Sequence, residues 1–348
     1  MRLRLPPSVR FGAGSITHLS DSLRECGVRR ALVVTDHGVL AAGVVERVRA
    51  ELDVPHDVFV AGRPTADQVT ACGSALDGAD GVVAVGGGSV IDVAKAAVAL
   101  RSAGTRLQDV YGLDRVLGTA LPVIAVPTTP GSGGEVSSHA VVTDQGKRHA
   151  VSGACLVPRA AVIDPTLAES LPRDATVACA LDALMHGAEA YLARAATPFS
   201  DALALPGVRR IAAALPSLDR HELSLGCLQA NLAMAQANAG LVHALGYPLT
   251  ERHGVVHGIA NALVAPAVLR ASRHAQEQRD SDLAECLGAP EFADGLTLLL
   301  ERVGVPLGLP VCDPDELACD ALHYGPVRAN WRFEATVDDI AAMYRASM

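Results

Sequence analysis

Two side chains able to hold a metal, Asp182 and His186, stand four residues apart in DALMHGAEAY (182–191). In a helix that spacing puts both on one face, as two ligands of one ion require. An ordinary i,i+4 hydrogen bond uses the same spacing. Two further histidines, His243 in GLVHALGYP and His257 in VVHGIANAL, lie on either side of Gly246 and Pro248. The pattern predicts His243 at the end of a long alanine-rich helix that Gly246 and Pro248 terminate, and His257 at the start of the next. Three imidazoles and one carboxylate make a donor set suited to Zn²⁺ or Fe²⁺. Three neutral imidazoles and one carboxylate leave a divalent ion one net positive charge, as polarisation of a carbonyl requires. His253, four residues before His257, is a fifth candidate. His139, His149, His221, His274 and His323 lack such partners and read as surface or core histidines.

A second group of residues suits a dinucleotide. GGGSVIDVAKA (86–96) follows an apolar strand and opens a helix. Gly86, Gly87, Gly88 and Ser89 there allow backbone N–H groups to approach a phosphate at a helix N-terminus. The spacing is neither GxGxxG nor GxxxxGK[ST], and a tight structural turn is the competing reading. Asp36, at the end of the strand ALVVTD (31–36), suits a ribose 2′-hydroxyl and repels a 2′-phosphate, which favours NAD(H) over NADP(H); its alternative is a turn or N-cap aspartate. PTTPGSGGEVSS (127–138) offers Thr128, Thr129 and Ser132 to the same ligand. Asp92 and Lys95 share a helix face, either as a surface pair or with Lys95 toward the cofactor.

These groups need a scaffold. The 348 residues suffice for two domains; half are apolar, only 3% aromatic, and the formal net charge is −9. The charge balance and the lack of a basic block argue against a nucleic-acid partner. No apolar stretch reaches a membrane span of about 18 residues, and MRLRLPPSVRFGAGS lacks the apolar core of a signal peptide. The eight scattered cysteines contain no CxxC pair, so reduced thiols in a cytoplasmic protein are expected. Strands at 31–36, 81–89, 121–129 and 160–165 alternate with helices at 39–52 and 89–104, the pattern of a parallel sheet with right-handed crossovers. After Pro165 strand signals nearly vanish. A helix capped by Asp174 is expected, then helices at 201–215, 226–245, 257–272, 281–287 and 292–303. The predicted fold is an α/β dinucleotide-binding domain over 1–165 and an all-α metal- and substrate-binding domain over 166–348.

GGGSVIDVAKA, PTTPGSGGEVSSHAVVTD, AVIDP, DALMHGAEAY and GLVHALGYP…VVHGIANAL occur in the order seen in the iron-dependent (group III) alcohol dehydrogenases. RFGAGS and TVDDIAAMYRASM match that family's termini, so the resemblance spans nearly the whole chain. It implies an active site in a cleft between the domains, and metal ligands at Asp182, His186, His243 and His257. It implies cofactor contacts at Asp36, Gly86, Gly87, Gly88, Ser89, Thr128, Thr129 and Ser132, with Val141 near the nicotinamide and Lys147 or Arg148 at the ribose. The implied activity is hydride transfer between a nicotinamide cofactor and a small alcohol or aldehyde, by a homodimer or larger assembly. The related cyclases that resemble dehydroquinate synthase, which use the hydride only transiently, are the alternative. Many members carry a proton-relaying histidine where this chain has Tyr247; the Tyr247 hydroxyl, His253 or an ordered water then takes that task. GYPLTERHGVVHG resembles the subgroup containing phosphonoacetaldehyde reductases, which implies a small anionic aldehyde.

Overall fold

The β-branched runs of the first half can bury both faces of a strand, and the structure puts them in the middle of a sheet. The computed structural model describes residues 5–348; Arg2 and Arg4 of the N-terminal segment lie outside them. The chain divides into two compact units between Leu171 and Pro172.

The first unit contains six parallel strands: β1 (Ser8–Phe11), β2 (Ala31–Asp36), β3 (His56–Ala61), β4 (Gly81–Gly86), β5 (Val123–Pro127) and β8 (Ala160–Ile163). Their order is β1-β8-β5-β4-β2-β3. A separate antiparallel hairpin pairs β6 (His139–Asp144) with β7 (Lys147–Ser152). Helices α1 (Leu19–Glu25), α2 (His37–Ala41), α3 (Val44–Ala50), α4 (Ala66–Ala75) and α5 (Gly88–Ala103) complete the unit. Alternate strand residues feed two cores, as the two-residue side-chain period demands. Val33, Val83, Val85, Ile124 and Val126 pack with Leu19, Leu23, Val44 and Val48 on one face. Val34, Val82, Ala84 and Ala125 pack with Cys72, Leu76, Val90 and Val98 on the other. From β2 the chain continues to β3 on one side, and from β4 to β5 on the other. The carboxyl ends of β2 and β4 therefore flank a topological switch point, where ligands of open parallel sheets bind.

The second unit consists of α6 (Arg173–Leu192), α7 (Pro198–Ala214), α8 (Arg220–Ala237), α9 (Leu241–His253), α10 (His257–Ser272), α11 (Glu277–Leu287), α12 (Phe292–Val303), α13 (Pro314–Ala321), α14 (Gly325–Ala329) and α15 (Val337–Ala346). One apolar core built mainly from Ala, Leu and Val joins most of them. Among the described residues no helix is long and apolar enough to cross a membrane, and no disulfide joins the eight cysteines.

Several elements differ from expectation. The helix expected over 39–52 is two, interrupted at Ala42 and Gly43. Asp174 lies inside the first turn of α6 and does not cap it; its carboxylate still complements the helix dipole there. The helix expected over 226–245 also divides. α8 ends at Asn238, whose φ of 65° a continuing helix cannot accommodate. His243 accordingly lies in the first turn of α9, which continues through Gly246 and Pro248 to His253.

Candidate metal centre and dinucleotide loops

Asp182 and His186 occupy successive turns in the middle of α6. His243 comes from the first turn of α9 and His257 is the first residue of α10. From Asp182 Oδ1, the Nε2 atoms of His243, His186 and His257 lie 3.5, 3.9 and 3.9 Å away. Four ligands placed about 2.1 Å from a tetrahedral ion lie about 3.4 Å from one another; one donor atom each from Asp182, His243 and His257 comes within 4.8 Å of the other two, and His186 approaches the group through Asp182. The His186 and His243 rings are stacked, with centroids 4.8 Å apart, and His257 meets His243 edge-on at 5.4 Å. His243 Nε2 is completely buried and makes no hydrogen bond. A buried nitrogen of this kind carries a desolvation cost that a metal ion would offset. The donor chemistry and the unsatisfied Nε2 both fit a borderline divalent cation.

Burial lowers His243, but Glu189 and Asp182 outweigh it and hold the imidazole well above its usual range, so a metal there must displace a proton; Asp182 and His186 suit a metal directly. Burial would raise the Asp182 carboxyl, but the imidazoles of His186, His257 and His243 outweigh it and hold the group far below the usual carboxylate range. Burial lowers His186, which favours the neutral imidazole a metal needs.

Residues outside the expected set orient these groups. His186 Nδ1 lies 2.9 Å from Asn231 Oδ1. Asn261 Nδ2 donates to Asp182 Oδ1 at 3.0 Å and lies 3.3 Å from His257 Nε2. His243 Nδ1 is hydrogen-bonded to Glu189 Oε2. Glu189 and Asn261 could have been found from spacing, one turn beyond His186 and His257 respectively. Asn231 carries no local signal.

Tyr247 belongs to this group and His253 does not. The Tyr247 ring stacks on His257, with centroids 5.1 Å apart and planes 13° apart, and packs on Tyr324 at 4.5 Å. His253 is the exposed last residue of α9, and no hydrogen bond or ion pair among the described residues ties it to the cluster. The reason is helical phase: His253 is six residues beyond Tyr247, so it projects from a different face.

Packing of α10 on α6 sets the position of His257. A Cβ at Gly258 would overlap the carbonyl oxygen of Ala178 and come within 2.9 Å of Asp182 Cβ. Gly258→Ala is therefore expected to push the start of α10 away from α6 and weaken metal binding about tenfold or more, in the range seen when ligand orientation is lost. Calorimetric titration of the metal-free protein would check it; unchanged affinity would show that the helix pair yields without cost.

In the first unit, β4 ends at Gly86 and Gly87 caps α5, which starts at Gly88; Ser89 is exposed in its first turn. A Cβ at Gly88 would stand 2.6 Å from Ser132 Cβ, so glycine allows the 127–138 turn to close on the helix start. Thr128 N–H donates to Gly86 O at 3.1 Å, and Thr129 lies beside Gly87. The two loops thus form one surface at the open end of the sheet. Asp36 ends β2 and caps α2, accepting from Val39 N–H through Oδ1 at 2.8 Å. Capping occupies one oxygen and leaves the other available. Val141 lies in β6 opposite Ala150, while Lys147 is exposed at the hairpin tip opposite Asp144 and Arg148 follows it in β7.

Lys95 is fully buried, contrary to an ordinary surface pair. Its ammonium donates to Ser137 O at 2.6 Å and His139 O at 3.2 Å. Asp92, one turn before it, accepts the N–H of Val141. Burial pushes the Asp92 carboxyl up to about 6 against the pull of Lys95, and pulls the Lys95 ammonium down to about 8 against Asp92 and Glu135. The pair thus fastens the segment leading into β6 to α5.

Comparisons with known proteins agree across both units. The model of the iron-containing alcohol dehydrogenase family matches residues 6–165. The model of that family's C-terminal part matches residues 176–348. The chain is 31% identical to an NAD-dependent methanol dehydrogenase of Bacillus methanolicus, covering 99% of each chain. A solved 1,3-propanediol oxidoreductase superposes with a TM-score of 0.95 at 26% identity, over 100% of this chain and 99% of the other. A sulfoacetaldehyde reductase from Bifidobacterium kashiwanohense, solved with NAD+, superposes with a TM-score of 0.90 at 26% identity, over 99% and 98%.

Proposed function

This chain belongs to the iron-containing alcohol dehydrogenase family, and on that premise we propose that it interconverts a small aldehyde and its alcohol, using NAD(H) and one divalent metal. The observation that carries the reading is the cluster of Asp182, His186, His243 and His257 around an unsatisfied, buried His243 Nε2. Family membership favours Fe²⁺ as the ion, with Zn²⁺ accepting the same donors. When bound, the metal supplies Lewis acidity at the substrate oxygen and the nicotinamide supplies the hydride.

The chain's own residues bind and orient. The N–H groups at Gly87–Ser89 and the dipole of α5 suit a pyrophosphate. Thr128, Thr129 and Ser132 line the facing turn, Asp36 ends β2 at the switch point for a ribose, Val141 serves the nicotinamide, and Lys147 or Arg148 serves a cofactor ribose. Tyr247, stacked on His257, takes the place from which a proton can be passed to the substrate oxygen, directly or through water. The family supports the dehydrogenase reading over the cyclase that uses the hydride only transiently. A small anionic aldehyde is proposed as substrate, on the GYPLTERHGVVHG pattern and the likeness to an enzyme named for sulfoacetaldehyde. A cytoplasmic homodimer or larger assembly belongs to the same proposal.

The test is a panel of acetaldehyde, sulfoacetaldehyde and phosphonoacetaldehyde with NADH and NADPH on metal-reconstituted enzyme. NADH oxidation with a preference for the anionic aldehydes is expected; turnover without net NADH loss would overturn the proposal. Asp36→Asn keeps an α2 cap but removes the charge. It should raise the NADPH-to-NADH ratio of kcat/KM on the order of tenfold, the equivalent of about 1.4 kcal/mol of relieved like-charge repulsion at a partly exposed site. A wild-type preference for NADPH would remove the role given to Asp36.

A further inference from the structure

Glu189 is 1% exposed in the last turns of α6 and has no counterpart among the expected ligands. A buried carboxylate is costly unless its oxygens are satisfied. Its Oε1 accepts three backbone N–H groups, from Gly240 at 3.1 Å, Val242 at 2.7 Å and His243 at 3.3 Å. These belong to the start of α9, which has no side-chain cap from its own N-cap residue. Its Oε2 is bonded to His243 Nδ1. Gly240 lets Trp331 pack closely: a Cβ there would meet the indole and come within 3.1 Å of Glu189 Oε1.

We infer that Glu189 is a positioning residue that caps α9 and fixes His243 in the tautomer with Nδ1 protonated and Nε2 free for the metal. The inference rests on the proposed ligand set. The chemistry is determined by donor counting. An ionised carboxylate only accepts, so the imidazole nitrogen bonded to it carries the proton. In the neutral ring, the form that binds a metal, the lone pair is then on Nε2, the atom 3.5 Å from Asp182 Oδ1. Glu189 stands seven residues after Asp182 and three after His186, so one face of α6 supplies two ligands and the group that orients a third.

Glu189→Gln separates this role from simple space filling. Glutamine has nearly the same shape, and its amide oxygen can satisfy the three N–H groups that Oε1 now accepts. Its NH₂ group then faces His243 Nδ1 and donates to it. The imidazole must accept at Nδ1 and carry its proton on Nε2, which blocks the metal.

The experiment titrates Zn²⁺ into metal-free wild type, Glu189→Gln and Glu189→Ala, with no cofactor or aldehyde present. Thermal unfolding of the metal-free proteins is measured alongside, and ¹⁵N chemical shifts report the His243 tautomer. Glu189→Gln should unfold near the wild-type temperature yet bind Zn²⁺ about 10–100-fold more weakly, with the His243 proton moved to Nε2. Wild-type affinity in Glu189→Gln, or an unmoved tautomer, overturns the inference. Should Glu189→Gln unfold early, a His243 proton still on Nδ1 in metal-free Glu189→Ala also overturns it. His257→Ala in the same titration reports separately on the ligand set: full metal affinity there would remove the underlying reading, whatever Glu189 does.

Discussion

His257→Ala is expected to strip most of the metal and nearly all turnover. Binding free energies of four-ligand zinc sites are of order 10–16 kcal/mol, so one ligand contributes about 3 kcal/mol, or on the order of a hundredfold in affinity. The loss to catalysis is greater, because a displaced ion also stops polarising the substrate oxygen; kcat/KM should fall on the order of a thousandfold. The fold should persist, since His257 is partly exposed at a helix start. His253→Ala is the matched control. It removes an exposed imidazole from the neighbouring helix end and should leave metal content and kcat/KM within about twofold, as for an ordinary surface substitution. Metal analysis and steady-state rates on the two variants decide it: full occupancy and turnover in His257→Ala would show that the ligands are wrongly assigned. A large effect of His253→Ala would show the same of the proton path.

Lys95→Met should produce the largest loss of stability. The side chain is fully buried, and its ammonium is the donor for the carbonyls of Ser137 and His139. Methionine fills most of the space but leaves those carbonyls and Asp92 without it. Leaving a buried carbonyl without its donor costs about 1–3 kcal/mol for each group. The pH dependence follows from Asp92. Its carboxyl is already raised to about 6 in the folded protein, so the stability associated with its protonated form is present below about 4 and lost as pH rises through 6. Without the lysine, the folded pKa moves higher still. The deficit should therefore be larger at pH 8 than at pH 5. Because Asp92 also holds the N–H of Val141, the KM for NADH should rise as well. Unfolding of wild type and variant at the two pH values tests this; a difference below about 1 kcal/mol at both would show that the strap contributes little.

Much of the framework could be read from local sequence because its signals are local. ALVVTD, GVVAVG and VIAVP are short, nearly continuous runs rich in Val and Ile, as strands covered on both faces of a parallel sheet require, and they form β2, β4 and β5. Asp182 and His186 share a face through helix geometry alone. The short strands β1 and β3 and the hairpin β6–β7 carry no comparable local signal. Their exposed or half-buried positions carry mixed residues, and they are strands because a neighbour offers hydrogen bonds.

The sequence by itself determined the chemical types of the proposed metal ligands, the glycine loops at strand ends and the division into α/β and helical halves. Only the tertiary structure decided where α9 begins. Local signals put a break at Gly246 and Pro248, and the alanine-rich stretch before them looked like one helix. A carboxylate 54 residues away, Glu189, instead satisfies the N–H groups of Gly240, Val242 and His243. That capping helps hold His243 in a first turn, where its ring meets His186 and Asp182. Asn231 likewise reaches His186 from another helix. Residue type and spacing encode what a side chain can do. Which nitrogen of an imidazole carries the proton, and which buried polar atoms remain for a ligand, depend on groups that meet only when distant helices pack.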